Sequence, residues 1–211
     1  MTPGAALQRG LGELELALPE GAQQRLLEYL QLLAKWNRTY NLTAIRDPLK
    51  MVSHHLLDSL AVLPHLPLAG DAPTLLDAGS GAGLPGIPLA IARPDWRVTL
   101  AEASQKKCAF LRQVAIELEL ANVELQEQRV ERWQPPTRFA AAISRAFAEL
   151  AAFLAACRHL VAPRGLLAAM KGTRPEQELK AMPAGFDCEV IALRVPLLAA
   201  ERHLVLCRER S

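Results

Sequence analysis

The stretch Thr74-Leu75-Leu76-Asp77-Ala78-Gly79-Ser80-Gly81-Ala82-Gly83-Leu84-Pro85-Gly86 narrows the possible folds more than any other part of the chain. A short apolar run ends at an acid, and four glycines then fall within eight residues. Leu75 and Leu76 suit a buried strand. The glycines suit a tight loop with positive φ, or a backbone lying close against a ligand. Pro85 is favoured in a first helical turn, and Ile87 to Ala92 supply apolar residues for a helix behind it. A strand, a glycine loop and a helix in this order present backbone N–H groups to a nucleotide-like ligand.

Two phases of this loop compete. Gly81 to Gly86 match the dinucleotide pattern G-x-G-x-x-G, and that match alone is weak. Read from Asp77, the stretch is D-x-G-x-G-x-G through Gly79, Gly81 and Gly83, which fits S-adenosylmethionine-dependent methyltransferases better. In the dinucleotide phase the first glycine comes four residues after the strand-terminal acid, late for a first βα turn. A G-x-G-x-x-G begun at Gly79 meets Leu84 where its third glycine belongs. A nicotinamide-dependent oxidoreductase stays open as the alternative at this point.

The chain around this stretch divides in two. Up to about residue 70 the periodic segments are helical. They are Leu7 to Leu18, broken by Pro19; Glu20 to Tyr40, with Leu26, Leu30 and Leu33 on one face; and a segment carrying Met51, Leu56, Leu60 and Leu63. Asp47 is expected to cap that last segment, with Pro48 in its first turn. Residues 1–70 therefore read as a helical N-terminal extension, and residues 71–211 as an α/β domain. Strands are expected at Arg97 to Ala101, Val123 to Leu125, Phe139 to Ile143 and Leu166 to Met170, with Cys188 to Val195 and His203 to Cys207 as a closing pair. Helices are expected from Ser104 to about Leu120, from Glu149 to Leu160, stopped by Pro163 and Gly165, and from Pro175 to Met182.

Other residues stand where chemistry would be placed. Glu102 ends the second strand, where an acid accepts hydrogen bonds from ribose hydroxyls, which supports a nucleoside without choosing one; a surface carboxylate capping the following helix is the alternative. Val130-Glu131 follows the third strand, where an adenine ring would lie, although Glu131 read alone is an ordinary exposed acid. Ser144-Arg145-Ala146 ends the fourth strand beside the crevice where α/β enzymes bind ligands, so Arg145 faces a cofactor or a phosphate, or simply forms a salt bridge. The run Trp36-Asn37-Arg38-Thr39-Tyr40-Asn41-Leu42-Thr43 mixes amides with aromatics. Such residues read or stack on bases, but for Trp36 and Tyr40 a core position is expected. His55 and Asp58, spaced i,i+3, are expected to pair; with His54 they do not make a metal site. No hydrolase, P-loop or zinc-protease motif is present in the sequence.

Composition sets outer bounds. The 211 residues are 51% apolar, enough for one sizeable core. The long apolar segments are broken by charge or proline, and Met1 to Gly10 lacks the regions of a signal peptide, so a cytoplasmic protein without a membrane span is expected. A net charge of +2 neither demands nor excludes nucleic acid. Cys108, Cys157, Cys188 and Cys207 are widely spaced, in no zinc pattern, and read as buried thiols.

Several stretches together resemble one family. They are Trp36-Asn37 with Tyr40 to Thr43, His55 to Leu60 (HLLDSL), Asp77 to Pro88 (DAGSGAGLPGIP), Lys106-Lys107 with Phe110-Leu111, Ser144-Arg145-Ala146, and Lys171-Gly172. The chain, from about Leu26 to Cys207, is similar to the bacterial small-subunit ribosomal RNA guanine-N7 methyltransferases, also called glucose-inhibited division protein B. The resemblance implies a class I methyltransferase fold: a Rossmann-like α/β architecture with a seven-stranded, mostly parallel sheet, helices on both faces and the N-terminal extension. It implies S-adenosyl-L-methionine as cofactor and N7 of a guanine in the 530 loop of 16S rRNA, near the decoding site, as acceptor. It carries binding roles to Gly79, Leu84, Val130, Glu131 and Arg145; Asp77 and Gly81 enter from the loop itself, and Glu102 by analogy with the wider class. Arg145, Lys171 and Arg202, at or near strand ends, are the expected RNA-phosphate contacts. Neither a catalytic base nor a metal is expected. The expected partner is 16S rRNA, alone or within the small ribosomal subunit or its precursor, with no DNA and with the protein a monomer. A non-catalytic ribosome-assembly RNA-binding protein is the remaining alternative.

Overall fold

The computed structural model describes every residue except Ala69, Ala146, Ala148 and Ser211. The chain opens with α1 (Pro3–Glu13), where the Thr2 side chain accepts from the Ala5 N–H at 3.2 Å. This cap starts the helix earlier than the expected Leu7, and Leu14 caps its end. The helix therefore stops well before Pro19, because Glu15 already has a left-handed backbone. Helix α2 (Ala22–Tyr40) buries Leu26, Tyr29, Leu30, Leu33 and Asn37 along one face. Asp47 caps α3 (Pro48–Met51) as expected, accepting from Leu49 N at 2.8 Å and Lys50 N at 3.2 Å. A π turn (Val52–Leu57) and the short α4 (Asp58–Leu60) continue that helix.

The sheet follows. Its strands are β1 (Thr74–Ala78), β2 (Arg97–Ala101), β3 (Val123–Gln126), β4 (Phe139–Ser144), β5 (Val161–Lys171), β6 (Phe186–Leu193) and β7 (Arg202–Glu209). The helices between them are α5 (Gly86–Ala92), α6 (Gln105–Glu117), α7 (Leu150–Cys157) and α8 (Glu176–Lys180). Strand order is β3-β2-β1-β4-β5-β7-β6. All pairs from β3 to β5 are parallel, and β7 is antiparallel to both β5 and β6. The order reverses between β1 and β4, and a sheet of this kind binds ligands in the crevice beyond the carboxyl ends of those strands.

One face of the sheet carries α5 and α6 together with the extension. Leu26, Tyr29, Leu33 and Leu57 share a core there with Ile87, Leu100 and Phe110. The opposite face is covered by α7, with Phe153, Leu154 and Leu160 against Leu76, Ala142 and Val205. Buried on both faces, β1 reads as a continuous apolar run in which Asp77 is the exception. Among the described residues, no helix is long and apolar enough to cross a membrane.

Three further expectations fail for identifiable reasons. Strand β5 runs through Pro163 and Gly165 instead of starting at Leu166. The step from Phe139 to Ala141 on β4 spans Val161 to Leu166 on β5, and this bulge accommodates the proline outside the regular ladder. Cys188 and Cys207 are not free thiols. They lie directly opposite each other on β6 and β7, with Cα atoms 4.1 Å apart, and form a disulfide; Cys108 and Cys157 remain free and buried. Tyr40 is 43% exposed rather than in the core, because it sits at the end of α2 and stacks on the outer side of Trp36, centroids 5.2 Å apart.

Candidate active site

The glycine loop is a backbone construction. Gly79 N and Ser80 N both donate to Ala101 O, at 2.9 and 3.0 Å, which pins the loop to the end of β2. Gly79, Gly81 and Gly83 take φ values of 71°, 60° and 87°. At Gly83 a side chain is doubly excluded: a Cβ would come within 2.5 Å of Ile87 Cγ1 and 2.9 Å of Leu111 Cδ2. At Gly86 a Cβ would lie 2.6 Å from Asp77 Oδ2. That closeness is used, since Gly86 N donates to the same oxygen at 2.8 Å.

Asp77 is fully buried, so it shapes the loop from beneath; Leu84, also buried, supplies the apolar underside. Burial raises the Asp77 carboxyl to about 7, against the Gly86 N–H bond and Arg145, which pull it down. Its Oδ1 has no partner among the described residues. Gly79 is exposed and Gly81 partly so. One further bond ties the loop to the extension: Tyr29 O–H donates to Ala82 O at 2.8 Å, in a buried setting. Burial pushes the Tyr29 phenol well above its ordinary value, so it stays a donor. Helical spacing marks Tyr29 as a core residue, and no local signal reveals this second task.

Beside the loop lies a cavity of about 210 Å³ lined by Gly79, Glu102, Ala103, Val130, Glu131 and Phe147, among others. Glu102 stands at its rim. Its Oε2 accepts from Gly81 N at 2.9 Å and its Oε1 from Ser104 N at 2.8 Å, while Lys107 Nζ lies 3.7 Å away. Ser104 starts α6 by this backbone N–H, and its side chain makes no cap bond. Each carboxylate oxygen retains acceptor capacity. Val130 begins a 3-10 turn (Val130–Arg132) and is buried; Glu131 is exposed. The lining combines the Glu102 carboxylate with the apolar side chains of Val130 and Phe147, and its volume suits a nucleoside-sized ligand.

A second cavity, of about 330 Å³, opens where Arg145 follows β4. It gathers Arg145, Lys171 and Arg202 with Ile45, His54, His55 and Asp58 of the extension. The expected His55–Asp58 pair does not form. His55 Nε2 instead meets Thr43 Oγ1 at 3.0 Å, and Thr43 N donates to the buried Asn37 Oδ1 at 2.9 Å. Burial, and then the Arg145 charge, lower His55 to about 4, so its imidazole is neutral at ordinary pH. Asp58 pairs with two arginines: Oδ2 with Arg145 Nη1 at 3.4 Å, and Oδ1 with Arg202 Nε at 2.9 Å. Burial holds its carboxyl above the usual range while Arg145 and Arg202 pull it down. Lys171 is matched separately, 2.7 Å from Glu178 Oε2, an oxygen that also accepts from Leu150 N. His203 Nδ1 and Gly172 O, 3.0 Å apart, hold the turn after Lys171. Ala146, the last residue of the Ser144-Arg145-Ala146 expectation, lies outside the described residues. Among the described residues no group of three or more His, Cys, Asp or Glu is arranged to hold a metal ion.

Comparison with known proteins agrees with this geometry. The profile of the family GidB, described as rRNA small subunit methyltransferase G, matches residues 22–205. A relative from Methylobacillus flagellatus, named ribosomal RNA small subunit methyltransferase G, is 51% identical over 205 residues, covering 97% of this chain and 98% of the relative. One of the same name from Burkholderia pseudomallei is 50% identical over 206 residues, covering 95% and 89%. Among solved structures, the DhpI–SAH complex superposes with a TM-score of 0.56 at 19% identity, over 90% of this chain and 97% of that one, a likeness of fold. With a profile match across most of its length and relatives half identical to it end to end, the chain belongs to the GidB family of small-subunit rRNA methyltransferases.

Proposed function

We propose that this protein transfers the methyl group of S-adenosyl-L-methionine to N7 of a guanine in the 530 loop of 16S rRNA, near the decoding site. The observation that carries the reading is the pairing of two cavities at the reversal point of the sheet. One is nucleoside-sized and sits on the glycine loop; the other is lined by cations where Arg145 leaves β4. Family membership supports small-subunit rRNA as the acceptor.

The residues fit the cofactor. Gly79 and Gly81 offer the open side of the loop, Glu102 a carboxylate for the ribose hydroxyls, and Val130 with Glu131 the wall and edge of the adenine site. Asp77 and Leu84 hold the loop's shape from below. When bound, S-adenosylmethionine supplies an electrophilic methyl group. Guanine N7 carries an in-plane lone pair and no proton, so no side chain has to act as a base. The chain's task is to orient, and orientation accounts for about 7–11 kcal/mol of barrier in favourable cases. Arg145, Lys171 and Arg202 receive the RNA backbone, and the extension (1–70) completes the acceptor wall that the domain at 71–211 leaves open. The protein works as a cytoplasmic monomer on the small subunit or its precursor.

The test is methyl transfer from labelled S-adenosylmethionine by the purified protein. Naked 16S rRNA, precursor particles and finished subunits from a strain lacking the gene serve as acceptors. Incorporation at one guanine N7 in any of the three supports the reading. Methylation of another atom, or binding of NAD in preference to S-adenosylhomocysteine by calorimetry, refutes it.

A further inference from the structure

Asp58 is 3% exposed and belongs to the extension, yet its charged partners among the described residues both come from the α/β domain. Its two oxygens hold two different guanidinium groups, Arg145 after β4 and Arg202 at the start of β7. Each arginine has a second anchor. Arg145 Nη1 also donates to His54 O at 3.0 Å, and Arg202 Nη1 to Glu201 O at 2.8 Å. A guanidinium has five N–H donors. The bonds among the described residues use two on each arginine, so both present donors to the cavity they line. The charges are unequal: one carboxylate faces two guanidinium groups, whereas Lys171 has Glu178 to itself. The surplus is one positive charge, the complement of one phosphodiester. A guanidinium binds phosphate through a planar fork, so its orientation matters as much as its charge.

We propose that Asp58 is a positioning residue that holds Arg145 and Arg202 as a two-guanidinium clamp on a single backbone phosphate of the acceptor RNA. The inference rests on the RNA-contact reading above, and it assigns the extension a part in substrate binding exerted through the two arginines. It also separates positioning from simple charge. Removing the Asp58 charge leaves the crevice more positive, which by Coulomb's law alone tightens RNA binding. Loss of positioning does the reverse.

Asp58→Asn, Arg202→Lys, Arg202→Gln and the double variant Asp58→Asn with Arg202→Gln are compared with the wild type. The readouts are KM for the rRNA substrate, the slope of log affinity against log salt, Kd for S-adenosylhomocysteine, and Tm. The expected result for Asp58→Asn is a KM for RNA about tenfold higher and a salt slope shallower by about 0.7, one single-strand phosphate contact, with cofactor Kd unchanged. The double variant should be worse than Arg202→Gln alone, because Arg145 then loses its Asp58 anchor, but by less than the full Asp58→Asn effect. Arg202→Lys keeps the charge but loses the fork, and should raise KM similarly; it decides the matter if Asp58→Asn fails to fold. Asp58→Asn with wild-type or tighter RNA binding and only a lower Tm overturns the proposal, as does Arg202→Lys behaving as wild type. If Arg202→Gln itself leaves RNA KM and salt slope unchanged, the RNA-contact reading of Arg202 fails first, and the clamp with it.

Discussion

The glycine loop and the cationic crevice lie at the ends of neighbouring strands, but they are assembled from different kinds of contact. The loop's turn is set within one short stretch of chain, where Gly83 N bonds Ser80 O and Gly86 N bonds Asp77, and backbone bonds to Ala101 then pin it to the end of β2. Its shape depends on glycines at positive φ, and at Gly83 a side chain is excluded sterically as well. The crevice is non-local. Asp58 and Arg202 are 144 residues apart, and Asp58 and Arg145 are 87 apart. Its shape depends on part-buried ion pairs between the extension and the sheet. A donor site of the first kind is fixed by backbone geometry and tolerates little change. An acceptor site of the second kind is held by side chains, each of which is replaceable at a graded cost.

The comparison is broken most severely at Gly83. A valine there meets a left-handed backbone and both Ile87 and Leu111. Strain at such a site is about 1–3 kcal/mol before the clash is counted. Gly83→Val should weaken S-adenosylhomocysteine binding by about a hundredfold or more in calorimetry while RNA binding in a filter assay persists; equal loss of both would dissolve the distinction. Lys171→Gln tests the other side. It removes a cation that lines the crevice, and we expect kcat/KM for rRNA to fall about tenfold with cofactor Kd unchanged. A charge reversal is the poorer probe, because a new carboxylate would face Glu178.

Tyr29→Phe sharpens the boundary, since Tyr29 belongs to the extension and serves the loop. Leaving the buried Ala82 carbonyl without its donor costs about 1 kcal/mol or more, and cofactor affinity should fall about fivefold with RNA KM unchanged. Wild-type affinity in this variant would mean that the extension acts on the acceptor side alone.

The smallest effect is a pH dependence of stability at Asp77. Its folded carboxyl titrates near 7, above the ordinary carboxylate value, so protons favour the folded state. The stability this contributes is fully present below about pH 4 and is lost as pH rises through about 7. Between about pH 6 and about pH 8 the wild type should lose about 1 kcal/mol relative to Asp77→Asn in urea unfolding. A difference that stays flat across that range, or rises with pH, contradicts the burial of an unpaired Oδ1.

The same contrast explains what was legible in the sequence. Asp77, the glycines and Glu102 sit at strand ends in a fixed order, so their placement follows from local pattern. The capping by Asp47 was legible for the same reason. Arg145, Lys171 and Arg202 were marked by their strand ends, the first two also by family resemblance, and the structure brings all three to one cavity. What they bond was not legible. Asp58 at i,i+3 from His55 suggested a helical pair, but the π turn and the two arginines draw the residues apart. Tyr29 was hidden because a buried tyrosine on an apolar helix face looks the same whether or not its hydroxyl reaches another element. Pro163 and Gly165 misled because a bulge lets a strand pass through residues that usually stop one. Cys188 and Cys207 paired across two strands whose register sequence spacing does not supply.

The most direct measurement of the central claim, that the loop holds a methyl donor and the crevice an rRNA guanine, is a mass-spectrometric map of 16S rRNA from a strain lacking the gene. The account predicts the loss of a single N7-methylguanine in the 530 loop, restored by the wild-type gene and not by Gly83→Val. An rRNA map unchanged by deletion, or a lost modification at any atom other than a guanine N7, would contradict it.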